Sequence, residues 1–326
     1  MKVGMKSLYA LMLFISVPII IAAVSYINVP VTDVYLLLPH SEKVALLHNK
    51  MFPDPVMAQL LKHNNANINT QALYGQKIDI VERHNNWIKV SLPAQSGVTG
   101  FVPANAVITL TKPYNPNSIV TAVWTDIIDE HNKKICSVPM GTQLHALKQM
   151  QKTTHVQLLD GTLGYIHNDH IQPLPITLST AQKQAILLDA GKKLIGLPYW
   201  WGGMAGLHTE YLAAQGFDCS GLIYILFKLV GSTLPRNSRA QYGKALPVQK
   251  GQDLIPGDCV WTANAQNPKH IVHVLLFCGE DMLLESSVYT GVAYISGTQK
   301  FGTPIVSLQS GAVANDKVVY FGRFLI

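Results

Sequence analysis

The residue with the clearest chemical potential is Cys219, within Gly216-Phe217-Asp218-Cys219-Ser220-Gly221-Leu222. The apolar run Leu222-Ile223-Tyr224-Ile225-Leu226-Phe227 follows, continues to Leu229-Val230 and stops at Gly231. Asp218 suits a helix N-cap and Gly231 a C-cap, so the run reads as a helix with Cys219 in its first turn. A sulfur there faces unpaired backbone N–H groups and the positive end of the helix dipole, and both stabilise negative charge. A lone cysteine is as readily a small buried residue. The nucleophilic reading needs a base within hydrogen-bond reach and a third group to hold that base. His273 opens the apolar stretch His273-Val274-Leu275-Leu276-Phe277, and Glu285 follows in Met282-Leu283-Leu284-Glu285-Ser286 after a turn near Gly279-Glu280-Asp281. An antiparallel hairpin there brings Glu285 beside His273.

Other elements must position these groups. Ser179 or Thr180 caps a helix through Ile195, with Ala181, Ile186, Leu187, Ala190 and Leu194 on an apolar face, and Gly196 ends it. Gly196-Leu197-Pro198-Tyr199-Trp200-Trp201-Gly202-Gly203 then reads either as a turn packed by tryptophans or as the wall of a cleft. Upstream, Gln71–Gln76, Ile78–Val81, Trp87–Val90 and Gly100–Pro103 form short strands between polar turns. A second copy follows at Gly141–Leu144, Thr154–Leu158 and Gly164–Ile166. Both copies share the order of glycine, strand, polar turn, strand and a Gly-aromatic-β-branched step, an internal repeat of small β units.

Composition sets the frame. The chain has 326 residues, 48% hydrophobic and 13% charged, which indicates two or three globular domains with real cores. The net charge of +6 is scattered, with no basic run interleaved with aromatics, so nucleic-acid binding has no support. Cys136, Cys219, Cys259 and Cys278 form neither a disulfide framework nor a CxxC zinc pair, although Cys259 and Cys278 lie on candidate neighbouring strands. His270 and His273 sit in a strand–loop setting and do not share a face as a metal pair would. Lys2 and Lys6 precede an uncharged, largely apolar stretch from Ser7 to Ile27 with small residues near its end. That pattern is an export signal, or an uncleaved anchor holding the chain to a membrane, and either places the rest outside the cytoplasm, periplasmic or secreted. Ser41–Lys62, interrupted by Pro53 and Pro55, reads as short helices or loop.

Taken together, Gly-x-Pro-Tyr-x-Trp-Gly-Gly, Gly-Phe-Asp-Cys-Ser-Gly, Leu-Pro-Arg-x-Ser-x-x-Gln, Pro-Gly-Asp and His-Val, in that order over about residues 178–290, resemble the NlpC-type cell-wall cysteine peptidases. The upstream repeats resemble bacterial SH3 domains. The resemblance implies a multidomain chain of two small all-β SH3-like barrels followed by an α+β papain-like peptidase domain. The expected boundaries are a leader or anchor at 1–27, an irregular or helical extension at 28–65, SH3-like domains at 66–113 and 118–174, and the peptidase domain at 178–326. It implies Cys219 as nucleophile, His273 as general base and Glu285 as the third polar group, where the family more often has His, Asn or Gln. Tyr199, Asp218, Ser220 and Ser238 match positions that line the site and hold a free peptide N-terminus, the Asp218 carboxylate being the partner for an ammonium. Arg236 reads as a structural ion pair.

The implied activity is hydrolysis of the γ-D-glutamyl–diamino acid bond (diaminopimelate or lysine) in peptidoglycan or released murein peptides, without metal or organic cofactor. The alternatives are a non-catalytic wall-peptide-binding protein and an acyl-transfer or amidase activity on another amide. Besides Glu285, this sequence departs from the family pattern in Leu275, where glycine is usual, and in an insertion from Met204 to Gln215 that could remodel the cleft.

Overall fold

The computed structural model describes residues 23–39, 67–174, 177–249 and 252–325. The first unit contains β1 (Val24–Ile27), β2 (Val31–Tyr35), β3 (Ile68–Leu73), β4 (Lys77–His84), β5 (Trp87–Leu92), β6 (Val98–Pro103) and β7 (Val107–Leu110). They form one sheet in the order β3-β2-β6-β5-β4-β1-β7. Alternation sets its inner face: in β5, Ile88, Val90 and Leu92 point inward while Trp87, Lys89 and Ser91 stay partly exposed. Ile27, Val34, Ala72, Ile78 and Val102 complete that core.

The expected boundary at residue 66 is therefore displaced. Val31–Tyr35 pairs with β3 and Val24–Ile27 pairs with β4 and β7, so both strands belong to this unit, not to a leader or an irregular extension. Pro30 splits two short apolar runs in the sequence, and the partner of the second lies more than thirty residues on. No local pattern could reveal that pairing. The leader up to residue 22 and the helical pattern over 41–62 lie outside the described residues.

The second unit repeats the plan with β8 (Ser118–Val120), β9 (Trp124–Ile128), β10 (Lys134–Pro139), β11 (Gln143–Gln149), β12 (Thr153–Gln157), β13 (Leu163–His167) and β14 (Ile171–Pro173). Their order is β10-β9-β13-β12-β11-β8-β14. Tyr26 and Tyr74 of the first unit enter its core beside Val120, Ile127, Val138 and Leu144, so the two units are packed together.

The C-terminal unit begins with α1 (Thr180–Lys193), whose start carries a capping box between Ser179 and Gln182. Next come β15 (Met204–Ala205), β16 (Gly216–Phe217), α2 (Cys219–Leu229), α3 (Ser238–Tyr242) and β17 (Leu246–Pro247). Then follow β18 (Cys259–Asn264), β19 (Asn267–Gly279), β20 (Met282–Ser287), β21 (Gly291–Ser296), α4 (Gly297–Phe301), β22 (Ala312–Ala314) and β23 (Lys317–Arg323). The main sheet runs β17-β23-β18-β19-β20-β21, with β22 on β23. Helix α2 is apolar on nearly every side and is buried between α1 and this sheet, the arrangement such an all-round apolar helix requires. Strand β19 starts six residues earlier than His273, so the histidine lies mid-strand. All four cysteines are free thiols, and Cys259 is fully buried. No helix among the described residues is long and apolar enough to cross a membrane.

Candidate active site

Cys219 is the first residue of α2. Asp218 caps the helix by accepting the Gly221 N–H at 2.6 Å on Oδ1. The approach is sterically fixed. Gly216 has φ +140°, and a Cβ there would lie 2.1 Å from the Pro198 carbonyl oxygen. Trp200 N–H donates to the Phe217 carbonyl and Phe217 N–H to the Pro198 carbonyl, which laces the aromatic loop to the strand leading into Cys219.

The β19–β20 hairpin does what the sequence spacing implied. His273 Nε2 lies 2.8 Å from Glu285 Oε2, twelve residues away in the chain. That bond leaves Nδ1 as the ring nitrogen available to Cys219, which borders the same cleft and acts on the charge of the ring. Burial of the ring works against its proton, but the charge and bond of Cys219, then those of Glu285, outweigh it and lift His273 from 6.5 to about 9. Glu285 is 2% exposed; burial pushes its carboxyl up, and His273 and Lys300 together overcome that and hold it below 4.5.

The groups expected to line the site converge on one cleft of about 790 Å³. Tyr199, Asp218, Cys219, Ser220, Ser238 and His273 all border it, while Glu285 stands behind His273. Burial and the neighbouring Cys219 and Asp218 raise the Tyr199 phenol well above 10, so it remains a neutral hydroxyl. Asp218, expected as the ammonium partner, is already bonded within the protein. Its Oδ1 accepts from Gly221, Ser220 and Arg236, and its Oδ2 from the Gly202 N–H and Arg236 Nη2 at 2.7 Å. Arg236 is 1% exposed and its Nε reaches Thr70 of the first β unit at 2.8 Å. An incoming ammonium would share Asp218 with a guanidinium already in place. No group of three or more His, Cys, Asp or Glu suited to a metal ion occurs among the described residues.

Residues 196–309 match the NlpC/P60 family. The C-terminal unit is an NlpC/P60 domain. The chain is 28% identical over 241 residues to a γ-D-glutamyl-L-lysine dipeptidyl-peptidase of Bacillus cereus, covering 68% of each chain. It is 26% identical over 229 residues to the protein of that name in Bacillus subtilis, covering 67% of this chain and 72% of the relative. A crystal structure of an NlpC/P60 family protein from Bacillus cereus superposes with a TM-score of 0.70 at 22% identity, covering 94% of this chain and all of the other. That likeness extends through both β units.

Several cleft residues of the NlpC/P60 domain and its neighbours were not singled out from the sequence. Leu36, Ile68 and Asn69 of the first β unit form part of the wall, and Asn264, Lys300, Asn315 and Lys317 line the flank that includes His273. Lys300 Nζ lies 2.7 Å from Glu285 Oε2. The Ser296-x-x-Gln299 capping box that starts α4 was a legible signal for the helix, though not for where its lysine points. The described residues lining the cleft include none from the Met204–Gln215 insertion, which docks on the two β units. Tyr211 stacks on Trp124 with ring centroids 5.4 Å apart, Trp124 Nε1 donates to the Gly206 carbonyl at 3.0 Å, and Lys134 pairs with Glu210. Gln71 of the first β unit donates to the Ala213 carbonyl and accepts the Met204 N–H.

Proposed function

We propose that this chain is an exported cysteine endopeptidase that hydrolyses the γ-D-glutamyl–diamino acid bond of peptidoglycan stem peptides, favouring those with a free N-terminal L-Ala. The observation that carries this reading is the placement of Cys219 and His273 on one cleft of about 790 Å³, with Glu285 bonded to His273 behind it. The names borne by the two Bacillus relatives support the bond class. In this reading the β units are bacterial SH3-like domains and the NlpC/P60 domain has a papain-like core. The first β unit shapes the end of the cleft that receives the peptide N-terminus.

The chemistry follows from the geometry. His273 Nδ1 takes the Cys219 proton while Glu285 fixes the ring through Nε2. The sulfur attacks the γ-carbonyl carbon of D-Glu, and the developing oxyanion accepts from the Cys219 backbone N–H, one of the unpaired donors of the first helical turn. The C–N bond then breaks, His273 protonates the leaving amine, and a thioester remains on Cys219. Water, deprotonated by His273, hydrolyses it. Tyr199, Ser220 and Ser238 offer hydroxyls to the peptide N-terminus, and Asp218, held by Arg236, borders the same cleft with its carboxylate.

Mass spectrometry of L-Ala-γ-D-Glu-diaminopimelate peptides tests this, with Cys219→Ala beside the wild type and with the peptide amine free or acetylated. The expected result is Cys219-dependent cleavage after D-Glu that fails on the acetylated peptide. Binding without cleavage would replace the proposal with a wall-peptide-binding role.

A further inference from the structure

Glu285 has two cationic partners on one oxygen. His273 Nε2 and Lys300 Nζ lie 2.8 and 2.7 Å from the same Oε2. Glu285 is almost fully enclosed, whereas Lys300 keeps 27% of its side chain exposed and borders the cleft. The two compete for the lone pairs of one atom, and only Lys300 is placed to leave. The surrounding charges favour an anion on this flank. Lys317 also borders the cleft, and its Nζ has only the neutral Asn264 carboxamide as a described partner. Among the described residues, the one carboxylate bordering the cleft, Asp218, is bonded to Arg236. Among the described residues, the other ionisable groups acting on Glu285 are His273 from β19 and, through it, Cys219 from α2.

We propose that Lys300 is a positioning and specificity residue: it holds Glu285 in the free protein and turns to a carboxylate of the leaving diamino acid when substrate enters, with Lys317 as a second cation. The inference rests on the proposed peptidase activity. The amine that leaves must reach His273, so the residue carrying that amine lies on the flank where Lys300 and Lys317 stand. Transfer of Lys300 to the substrate leaves the charge of Glu285 unshared with a second cation and strengthens the hold of His273 on its proton, so a carboxylate on the leaving residue promotes its own cleavage. No covalent change is involved; one ion pair is exchanged for another.

Three tripeptides L-Ala-γ-D-Glu-X separate the outcomes, with X as diaminopimelate, as lysine with a free carboxyl, or as lysine amide, so that the leaving residue bears two, one or no carboxylates. For the wild type, kcat/KM should fall in that order, by at least about tenfold from first to last, the scale of a charge-assisted contact. In Lys300→Met the ordering should flatten and the basic limb of the kcat/KM profile should move to higher pH, because Glu285 then serves His273 alone; Lys300→Arg should restore the ordering. Equal wild-type rates on all three peptides, or a Lys300→Met enzyme with both ordering and profile unchanged, would overturn this inference and leave the peptidase assignment standing. No cleavage of any peptide by the wild type would instead remove the peptidase assignment.

Discussion

Replacing Glu285 by glutamine isolates the contribution of charge at the third position. The carboxamide keeps the shape and can still accept from His273 Nε2, but the negative charge is gone. In the native site the lift of His273 from 6.5 to about 9 corresponds to about 3 kcal/mol in favour of the imidazolium. The charge and bond of Cys219 supply the larger part of that lift and Glu285 the smaller. Glu285→Gln should therefore cost on the order of 1 kcal/mol, a fall of about fivefold or more in kcat/KM. The sign on pH follows. A histidine raised above its free value holds its proton below 6.5 and loses it as pH rises through about 9, so activity that needs the imidazolium declines through that upper value. In Glu285→Gln the basic limb should move down by roughly one pH unit. Single-turnover cleavage of a chromogenic γ-glutamyl anilide between pH 5 and 10, with circular dichroism to verify folding, reads both quantities. A folded variant with unchanged kcat/KM and an unmoved limb would refute the assigned role. A loss above about a thousandfold would mean that Glu285 does more than orient and stabilise the ring.

Other consequences are open to measurement. Arg236→Leu leaves Asp218 buried without its cation, and urea denaturation should give a stability loss of about 3–5 kcal/mol. Thr70→Val removes the acceptor of Arg236 Nε from a different domain and should cost about 1–3 kcal/mol, with a rise in KM although Thr70 lies outside the NlpC/P60 domain. Asp33, raised by burial from 3.8 to about 6, favours its neutral form in the fold, so its contribution to stability is best below 3.8 and worsens as pH rises through 6. Asp33→Asn should accordingly raise Tm at pH 7.5, by at most about 3 kcal/mol in free-energy terms, and flatten the dependence between pH 4 and 7, as read by differential scanning fluorimetry. Glu285 contributes in the opposite sense: its stabilisation is complete above 4.5 and is lost as pH falls through its lower folded value, a loss that Glu285→Gln should abolish.

What the sequence disclosed was what short-range physics controls. The Asp218 cap, the apolar run behind Cys219 and its glycine stop are all encoded within one helix length, and α2 has the predicted bounds to within a residue or two. The pairing of His273 with Glu285 was legible because a tight hairpin leaves few registers. What stayed hidden depends on tertiary placement. Lys300 meets Glu285 only because β21 and α4 fold back over the hairpin, and nothing in the residues around Lys300 marks that return. Trp124 gives no hint that it docks the Met204–Gln215 insertion, since its stacking partner Tyr211 lies far along the chain. The engagement of Asp218 within the protein stayed hidden for a related reason. A cap residue beside a nucleophile looks available, and only the fold shows Arg236 already seated on it.

The Arg236–Thr70 bond also bears on how separable the NlpC/P60 domain is from its neighbours. The Thr70 hydroxyl donates to Gln95 Oε1, Gln95 Nε2 in turn donates to the Gln71 carbonyl, and the Gln71 side chain bonds Met204 and Ala213 of the insertion. A recombination event that exchanged the β units for an unrelated module would thus leave a guanidinium with an unused N–H beneath the nucleophile. It would also free a loop whose ends are tied to the lost module. Such a chain inherits the motif but not the polar seam that seats it, so these domains are expected to be transmitted between genes as a unit.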